Sequence, residues 1–133
     1  MKKKILIADD EPTNRIILHR MLSCYGDCDV VVDGTEVIDA FVMALEENTP
    51  YDLICLDIMM PIMTGCEALK KIREIEHSMA INPVDRVSVI MITAVDKTNE
   101  LIELTEDSCA SYMMKPINKS TLIQRITDIG LLS

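Results

Sequence analysis

Short apolar runs alternate with segments of helical spacing along the whole chain, and this alternation constrains the fold more than any other feature. The runs typical of strands cover residues 3–8, 28–32, 51–56, 87–92 and 110–114. The segments of helical spacing cover residues 12–24, 35–47, 65–77, 97–107 and 119–129. Strands that are covered by helices on both faces are apolar along their length, as these runs are. The order predicts one α/β domain over residues 1–133, with a doubly wound, five-stranded parallel sheet and five helices.

Composition and charge exclude several classes of function. With 133 residues, 49% of them hydrophobic, the chain has enough material for one domain with a sizeable core. Its formal net charge of -9 disfavours nucleic acid as a partner, because phosphate backbones need clustered Lys and Arg. No apolar stretch approaches the ~18 residues that span a bilayer. The five cysteines lack metal-binding spacing and fit reduced thiols, so we expect a cytoplasmic protein without membrane insertion.

Polar side chains stand at the carboxyl ends of four predicted strands. Asp9 and Asp10 follow the first strand, Asp57 follows the third, Thr93 lies one residue past the fourth, and Lys115 follows the fifth. Ligands of open parallel sheets bind beyond these ends, so we expect the five groups to converge. Clustered carboxylates repel one another, and Mg²⁺ compensates because it prefers oxygen ligands and pairs a few carboxylates with a phosphate. The pattern therefore predicts a metal-dependent phosphoryl acceptor.

The predicted chemistry gives each of these residues a role. Asp57 attacks phosphorus as the nucleophile and forms an acyl phosphate. The metal ion and the Lys115 ammonium neutralise charge on the transferring group, and Thr93 hydrogen-bonds a phosphoryl oxygen. Each residue alone also has an ordinary explanation, since aspartate is a favoured helix N-cap and lysine is common on solvated surfaces. The phosphoryl acceptor is favoured because it explains all the positions at once.

Together these motifs resemble the bacterial response-regulator receiver domain, and the resemblance covers essentially the whole chain. The motifs are Asp9-Asp10, Asp57-Ile58-Met59-Met60-Pro61, Thr93-Ala94 and Lys115-Pro116, each after its own strand. The resemblance implies a flavodoxin-like strand order 2-1-3-4-5 and phosphorylation by a histidine kinase or phosphotransfer protein. It implies a stand-alone regulator, similar to chemotaxis regulators, that signals to a downstream protein target which the sequence does not name.

The resemblance also implies a metal-ligand set. Asp10 and Asp57 supply side-chain ligands to Mg²⁺, Met59 supplies its backbone carbonyl, and Asp9 acts mostly through water. The peptide bond between Lys115 and Pro116 is expected to be cis, which is affordable only before proline.

A conformational switch is implied as well, with Thr93 and Tyr112 as its two parts. Phosphorylation draws Thr93 inward and lets the ring of Tyr112 follow, which shifts an existing equilibrium between two states. The chain departs from the family nearby, because Asp107-Ser108-Cys109-Ala110 replaces the glycine usual before the last strand. This departure leaves the geometry of that loop open.

The first helix offers a candidate partner surface. Its buried face should carry Ile17, Leu18, Met21 and Leu22. At 100° per residue, Ile16 points roughly 170° away from that face, beside Asn14 and Arg20 and next to the acidic pocket. A single exposed isoleucine is also ordinary on a protein surface. Our hypothesis is that Ile16 docks a helix of the kinase or phosphotransfer protein.

Two other classes share parts of the pattern. A haloacid-dehalogenase-type phosphatase needs a second aspartate two residues after the first, where this chain has Met59. A flavodoxin-like nucleotide binder needs Gly, Ser or Thr donors in its first loop, where this chain has Ala8-Asp9-Asp10-Glu11. As a receiver, the chain is not an enzyme and catalyses only its own phosphorylation and dephosphorylation. A messenger and a relay intermediate that passes the phosphoryl group to another histidine both remain open, and residues 78–86 form a connector of unassigned role.

Overall fold

The computed structural model describes residues 3–94, 103 and 110–130. The strands are β1 (Lys3–Ala8), β2 (Gly26–Val31), β3 (Leu53–Asp57), β4 (Ser88–Thr93) and β5 (Ser111–Met114). The helices are α1 (Pro12–Leu22), α2 (Gly34–Glu46), α3 (Gly65–Ser78) and α4 (Lys119–Asp128), with a short 3-10 turn at Pro83–Asp85. The predicted helix over residues 97–107 lies outside the described residues, apart from Glu103. In the part of the chain that the structure describes, no helix is both long and apolar enough to cross a bilayer.

The five strands form one parallel sheet in the order β2-β1-β3-β4-β5, which confirms the predicted fold class and strand order. Side chains alternate between the two faces of each strand. One face packs against α2 and α3, through residues such as Leu56, Met91 and Phe41. The other packs against α1 and α4, through residues such as Cys55, Ile92 and Leu18. The carboxyl ends of all strands therefore meet at one open edge.

The predicted boundaries need small corrections. Thr93 was expected one residue past its strand, but it is the last residue of β4 and pairs with Met114 of β5. The second strand begins at Gly26 rather than residue 28, because Gly26 approaches β1 closely: a Cβ atom there would lie 2.2 Å from the carbonyl oxygen of Lys3. The third strand begins at Leu53 rather than residue 51 and ends at Asp57.

The connector over residues 78–86 has a structural anchor at the start of β4. Glu76 is buried, with 1% of its surface exposed, and its Oε2 accepts a hydrogen bond of 2.8 Å from the Val87 N–H. Arg73 forms an ion pair of 2.7 Å with Glu76 and donates to the Val87 carbonyl at 2.9 Å. The ion pair thus holds both backbone groups of Val87. These contacts of Arg73 and Glu76 with the Val87 backbone fix the end of the connector and the position of β4 relative to α3.

Candidate functional site

Three carboxylates converge at the open edge of the sheet. Asp9 follows β1 and is fully buried, Asp57 ends β3 and is 2% exposed, and Asp10 is exposed to solvent. One oxygen atom from each of the three carboxylates lies within 4.8 Å of the other two. The parallel sheet brings these residues together because β1 and β3 are neighbours that end at the same edge.

Lys115 brings the positive charge of the site. Its Nζ lies 3.4 Å from Oδ1 of Asp57 and 3.7 Å from Oδ2 of Asp9. Its backbone N–H donates to the Thr93 carbonyl at 2.7 Å, which ties the turn after β5 to the end of β4. The peptide bond between Lys115 and Pro116 is cis, as expected. At the two distances given above, the Lys115 ammonium group is shared between the buried carboxylates of Asp9 and Asp57.

Asp9 is fixed on one side and unsatisfied on the other. Its Oδ1 accepts a hydrogen bond of 2.9 Å from the N–H of Glu11, and its backbone carbonyl accepts one of 2.8 Å from Arg15. Its Oδ2 is buried and has no hydrogen-bond partner among the described residues. Asp9 does not act as the side-chain cap of α1, whose N-cap residue is Glu11. A buried oxygen of this kind needs a donor or a cation.

The pKa of the Asp57 carboxyl group lies above its usual range. Burial raises its pKa from 3.8 to about 6, and the negative charge of Asp9 acts in the same direction. The Lys115 ammonium and the Met59 N–H, which donates to Oδ1 at 3.2 Å, oppose this rise in the pKa. The charge of one lysine therefore does not fully compensate the buried acids, and a cation placed among them would.

The donor set suits a hard divalent cation. The atoms available are carboxylate oxygens, which Mg²⁺ and Ca²⁺ prefer over nitrogen or sulfur ligands. The buried Oδ2 of Asp9, which accepts no hydrogen bond among the described residues, and its closeness to Asp10 and Asp57 fit this requirement. The exposure of Asp10 leaves the cluster open to solvent on one side. The residues present therefore fit a Mg²⁺ ion.

The loop after Asp57 is closed on itself. The N–H of Ile58 donates to the Ile92 carbonyl at 2.9 Å, and the N–H of Gly65 donates back to the Ile58 carbonyl at 3.0 Å. A Cβ atom at Gly65 would lie 2.3 Å from the Asp57 carbonyl oxygen, so only glycine permits α3 to begin this close to the site. Met59, whose carbonyl is a predicted metal ligand, lies on this loop with 71% of its surface exposed.

Thr93 and Tyr112 lie on the same face of the sheet. Thr93 is buried, and the alternation along β4 puts it on the α2 and α3 side with Met91. Tyr112 is half-buried against that same core and pairs with Met91 on the neighbouring strand. Their positions are compatible with a mechanical connection between the two side chains, and their switching role stays a prediction.

The expected exposure of Ile16 is present, with 54% of its surface exposed on α1. A groove of about 390 Å³ passes beside it and is lined by Pro12, Arg15, Ile16, His19, Arg20 and Val30. Asn14 does not line this groove and donates to Glu11 at 3.2 Å. The sequence does not predict Val30 as part of this surface, because its position beside α1 depends on the pairing of β2 at the sheet edge. No local signal in the sequence marks it.

Comparison with known proteins gives a consistent family match. Residues 5–127 match the response regulator receiver domain family. The sensory/regulatory protein RpfC of Xanthomonas campestris pv. campestris is 32% identical over 130 residues, which cover 96% of this chain and 16% of that protein. The chain spans only 5% to 16% of the length of the curated relatives it matches.

Solved structures share the fold. The receiver domain of the Arabidopsis thaliana histidine kinase CKI1, complexed with Mg²⁺ and BeF3⁻, matches with a TM-score of 0.78 and 24% identity, over 96% of this chain and 89% of that one. A chain in the co-crystal structure of Saccharomyces cerevisiae phosphotransfer protein Ypd1 with the receiver domain of Ssk1 matches with a TM-score of 0.79 and 24% identity. That match covers 97% of this chain and 89% of the other.

Proposed function

The chain belongs to the response regulator receiver domain family. We propose that Asp57 accepts a phosphoryl group from a histidine kinase or phosphotransfer protein, with Mg²⁺ as the cofactor. As a receiver domain of two-component signalling, it is not an enzyme that acts on a separate substrate. The observation that carries the proposal is the meeting of Asp9, Asp10 and Asp57 within 4.8 Å, beside Lys115.

This acidic cluster would hold the metal. Asp10 and Asp57 would provide side-chain oxygens, Met59 would provide its backbone carbonyl, and Asp9 would act mostly through water. When bound, the ion offsets the repulsion among the carboxylates and the charge on the transferring phosphoryl group. The CKI1 receiver domain, which shares this fold, is complexed with Mg²⁺ and BeF3⁻.

The transfer exchanges one bond to phosphorus for another. A carboxylate oxygen of Asp57 attacks the phosphorus of a phosphohistidine, the new P–O bond forms, and the P–N bond breaks so that the imidazole leaves with its electron pair. The Lys115 ammonium, 3.4 Å from Oδ1 of Asp57, stabilises the charge that builds on the phosphoryl oxygens. The Thr93 hydroxyl then donates a hydrogen bond to the phosphoryl group.

Output depends on the switch formed by Thr93 and Tyr112. Once Thr93 hydrogen-bonds the phosphoryl group, its side chain moves inward, and the ring of Tyr112, on the same face of the sheet, follows it. The surface of β5 changes as a result. Changing Lys115 to alanine is expected to keep some phosphoryl acceptance while weakening this response. NMR chemical shifts of Tyr112 before and after phosphorylation measure this response. A shift change in Lys115→Ala as large as in the unaltered chain contradicts a role for Lys115 in the switch.

The donor docks on α1. Ile16 and Val30 provide exposed apolar surface in the groove, and Arg15, His19 and Arg20 surround it with basic groups on a chain of net charge -9. A helix with an apolar centre and acidic flanks complements this surface. The receiver of Ssk1 forms a complex with the phosphotransfer protein Ypd1. Changing Ile16 to alanine should slow transfer from the donor protein, and unchanged transfer contradicts the docking role.

Acetyl phosphate tests the central proposal without any partner. With Mg²⁺ present, the intact mass should increase by one phosphoryl group, and either a chelator or the Asp57→Asn substitution should abolish the gain. Asp52→Asn is a suitable control, because Asp52 lies near the opposite edge of the sheet and bonds the Lys4 N–H. A mass that does not change, or a gain that survives in Asp57→Asn, refutes the proposal.

The phosphoryl group can leave in two ways. A messenger holds it while bound to its target, whereas a relay intermediate passes it to a histidine of another protein. Labelled phosphoprotein is mixed with purified phosphotransfer proteins, and movement of label to a histidine identifies the relay.

A further inference from the structure

Ile62 has a backbone conformation that its side chain disfavours. Its φ angle is 69°, in the left-handed region, and 79% of its surface is exposed. A β-branched residue is a genuine outlier in this region, because its Cβ crowds the following carbonyl. Asn48 and Ala80 also have positive φ, but each directly follows a helix C-cap residue, where a left-handed residue closes the helix end. Ile62 closes no helix.

Neither packing nor backbone geometry explains an isoleucine at this position. Its side chain is too exposed to contribute to the core, and glycine or asparagine would adopt the same φ with less strain. Residues that violate local preferences without a folding advantage tend to lie at functional sites. The position of Ile62 in the molecule is therefore informative.

Ile62 lies on the loop that leaves the phosphoacceptor. The loop starts directly after Asp57 and is closed by the hydrogen bond from the Gly65 N–H to the Ile58 carbonyl. Met59, on the same loop, is 71% exposed and donates its N–H to Asp57. Two exposed apolar side chains thus lie on the loop that begins at the phosphoacceptor.

A protein phosphodonor has to rest on the loops that surround Asp57. Asp57 is 2% exposed, and its oxygen must come within about 3–3.5 Å of phosphorus for the transfer. A histidine on a folded partner reaches that distance only when the surface around the histidine rests on the surrounding loops. A small donor such as acetyl phosphate has no such surface and enters without contacting them.

We propose that Ile62, together with Met59, contacts an apolar surface patch that lies next to the phosphohistidine of the protein donor. The inference rests on the proposed function and adds a second contact to the one on α1. The left-handed backbone holds the Ile62 side chain outward, where an apolar partner surface can bury it. Both residues are uncharged, so the contact selects the donor by shape and apolarity rather than by charge.

The substitution Ile62→Asn tests the contact, with Val84→Asn as the matched control. Asparagine tolerates the left-handed region, so the fold should keep its Tm or gain about 3 °C. Val84 is another aliphatic residue, 90% exposed, in the turn before β4 at the opposite edge of the sheet. The donors are acetyl phosphate and a phosphorylated histidine phosphotransfer protein, selected because it transfers to the unaltered chain.

Transfer from the phosphotransfer protein should slow about tenfold in Ile62→Asn, a typical loss for an important interface side chain. The rate with acetyl phosphate should stay within about twofold, and Val84→Asn should leave both rates unchanged. If Ile62→Asn accepts the phosphoryl group from the phosphotransfer protein as fast as the unaltered chain does, the inference is overturned. Equal slowing with both donors assigns Ile62 to the loop geometry and overturns it too, as does a lowered Tm. If the unaltered chain accepts nothing from acetyl phosphate, the proposed function itself fails.

Discussion

Replacing Asp57 with asparagine should stabilise the metal-free protein at neutral pH, although it removes the proposed phosphoacceptor. Asparagine has nearly the same shape and carries no charge that burial would penalise. The difference between the folded pKa of about 6 and the ordinary value of 3.8 corresponds to about 3 kcal/mol of the free energy of unfolding at pH 7.5. The pKa of about 6 already includes the attraction to Lys115. The figure is an upper value, because the cluster is open to solvent beside the exposed Asp10, and water screens the charge.

The sign follows from proton binding. Between about pH 4 and pH 6 the folded state of the unaltered chain holds a proton on Asp57 that the unfolded state releases. The stability contribution of this group is therefore fully present at low pH and is lost as the pH rises through about 6. At pH 4 the advantage of Asp57→Asn should shrink to roughly 0.5 kcal/mol, since the group is mostly neutral in the fold.

Urea unfolding in the presence of a chelator, at pH 7.5 and at pH 4, measures both values. Asp10→Asn is the control, because it removes an exposed carboxylate from the same cluster and should change the stability by less than about 1 kcal/mol. If Asp57→Asn destabilises the protein at pH 7.5, or changes stability equally at both pH values, burial of the charge is not what perturbs this carboxyl group. If Asp10→Asn has the same effect as Asp57→Asn, general repulsion rather than burial is the cause.

Four further changes test other parts of the structure. Mg²⁺ should raise the Tm of the unaltered chain at pH 7.5 but not that of Asp57→Asn, as read by scanning fluorimetry. Gly34→Ala should weaken Mg²⁺ binding in calorimetry, because its Cβ would lie 2.4 Å from the Met63 carbonyl oxygen and push the loop that follows Asp57. Ala80→Gly should add roughly 1 kcal/mol to the free energy of unfolding in urea, since it relieves a φ of 54°. Glu76→Ala should remove roughly 3 kcal/mol in the same assay, because it leaves a paired arginine and a buried N–H without their partner.

Each of these expectations has a result that contradicts it. An equal rise in Tm for both proteins places the Mg²⁺ site elsewhere. Unchanged Mg²⁺ affinity in Gly34→Ala shows that the loop absorbs the added methyl group. For Ala80→Gly, any loss of stability would mean that the entropy of the unfolded glycine outweighs the relief. For the buried glutamate, Glu76→Gln is the control, since an amide oxygen can still accept from the Val87 N–H. An equal loss of stability in Glu76→Ala and Glu76→Gln contradicts the role given to this hydrogen bond.

The sheet and most of the site were predictable because their signals are local. An apolar run with a polar residue at its end identifies a strand and the edge where it ends, and parallel pairing then brings Asp9, Asp57 and Lys115 together. Exact boundaries were less predictable, since Thr93 stays in β4 only through its pairing with Met114.

Other features depend on tertiary contacts or backbone angles that leave no mark in the sequence. Val30 joins the groove beside α1 because β2 is an edge strand, and nothing near it in the sequence indicates this. The hydrogen bonds of Arg73 and Glu76 to the Val87 backbone join α3 to the start of β4. The strain at Ile62 is a property of one φ angle, which the residue type alone would argue against.

The two faces of the sheet carry different surfaces. The groove with Ile16 and Val30 belongs to the α1 side, whereas Thr93 and Tyr112 lie on the side of α2 and α3. A protein bound on one side leaves the other uncovered. Under the proposed function, phosphoryl transfer and target binding would therefore be able to occur in one ternary complex, and the phosphoryl group would not have to outlast a separate search for the target.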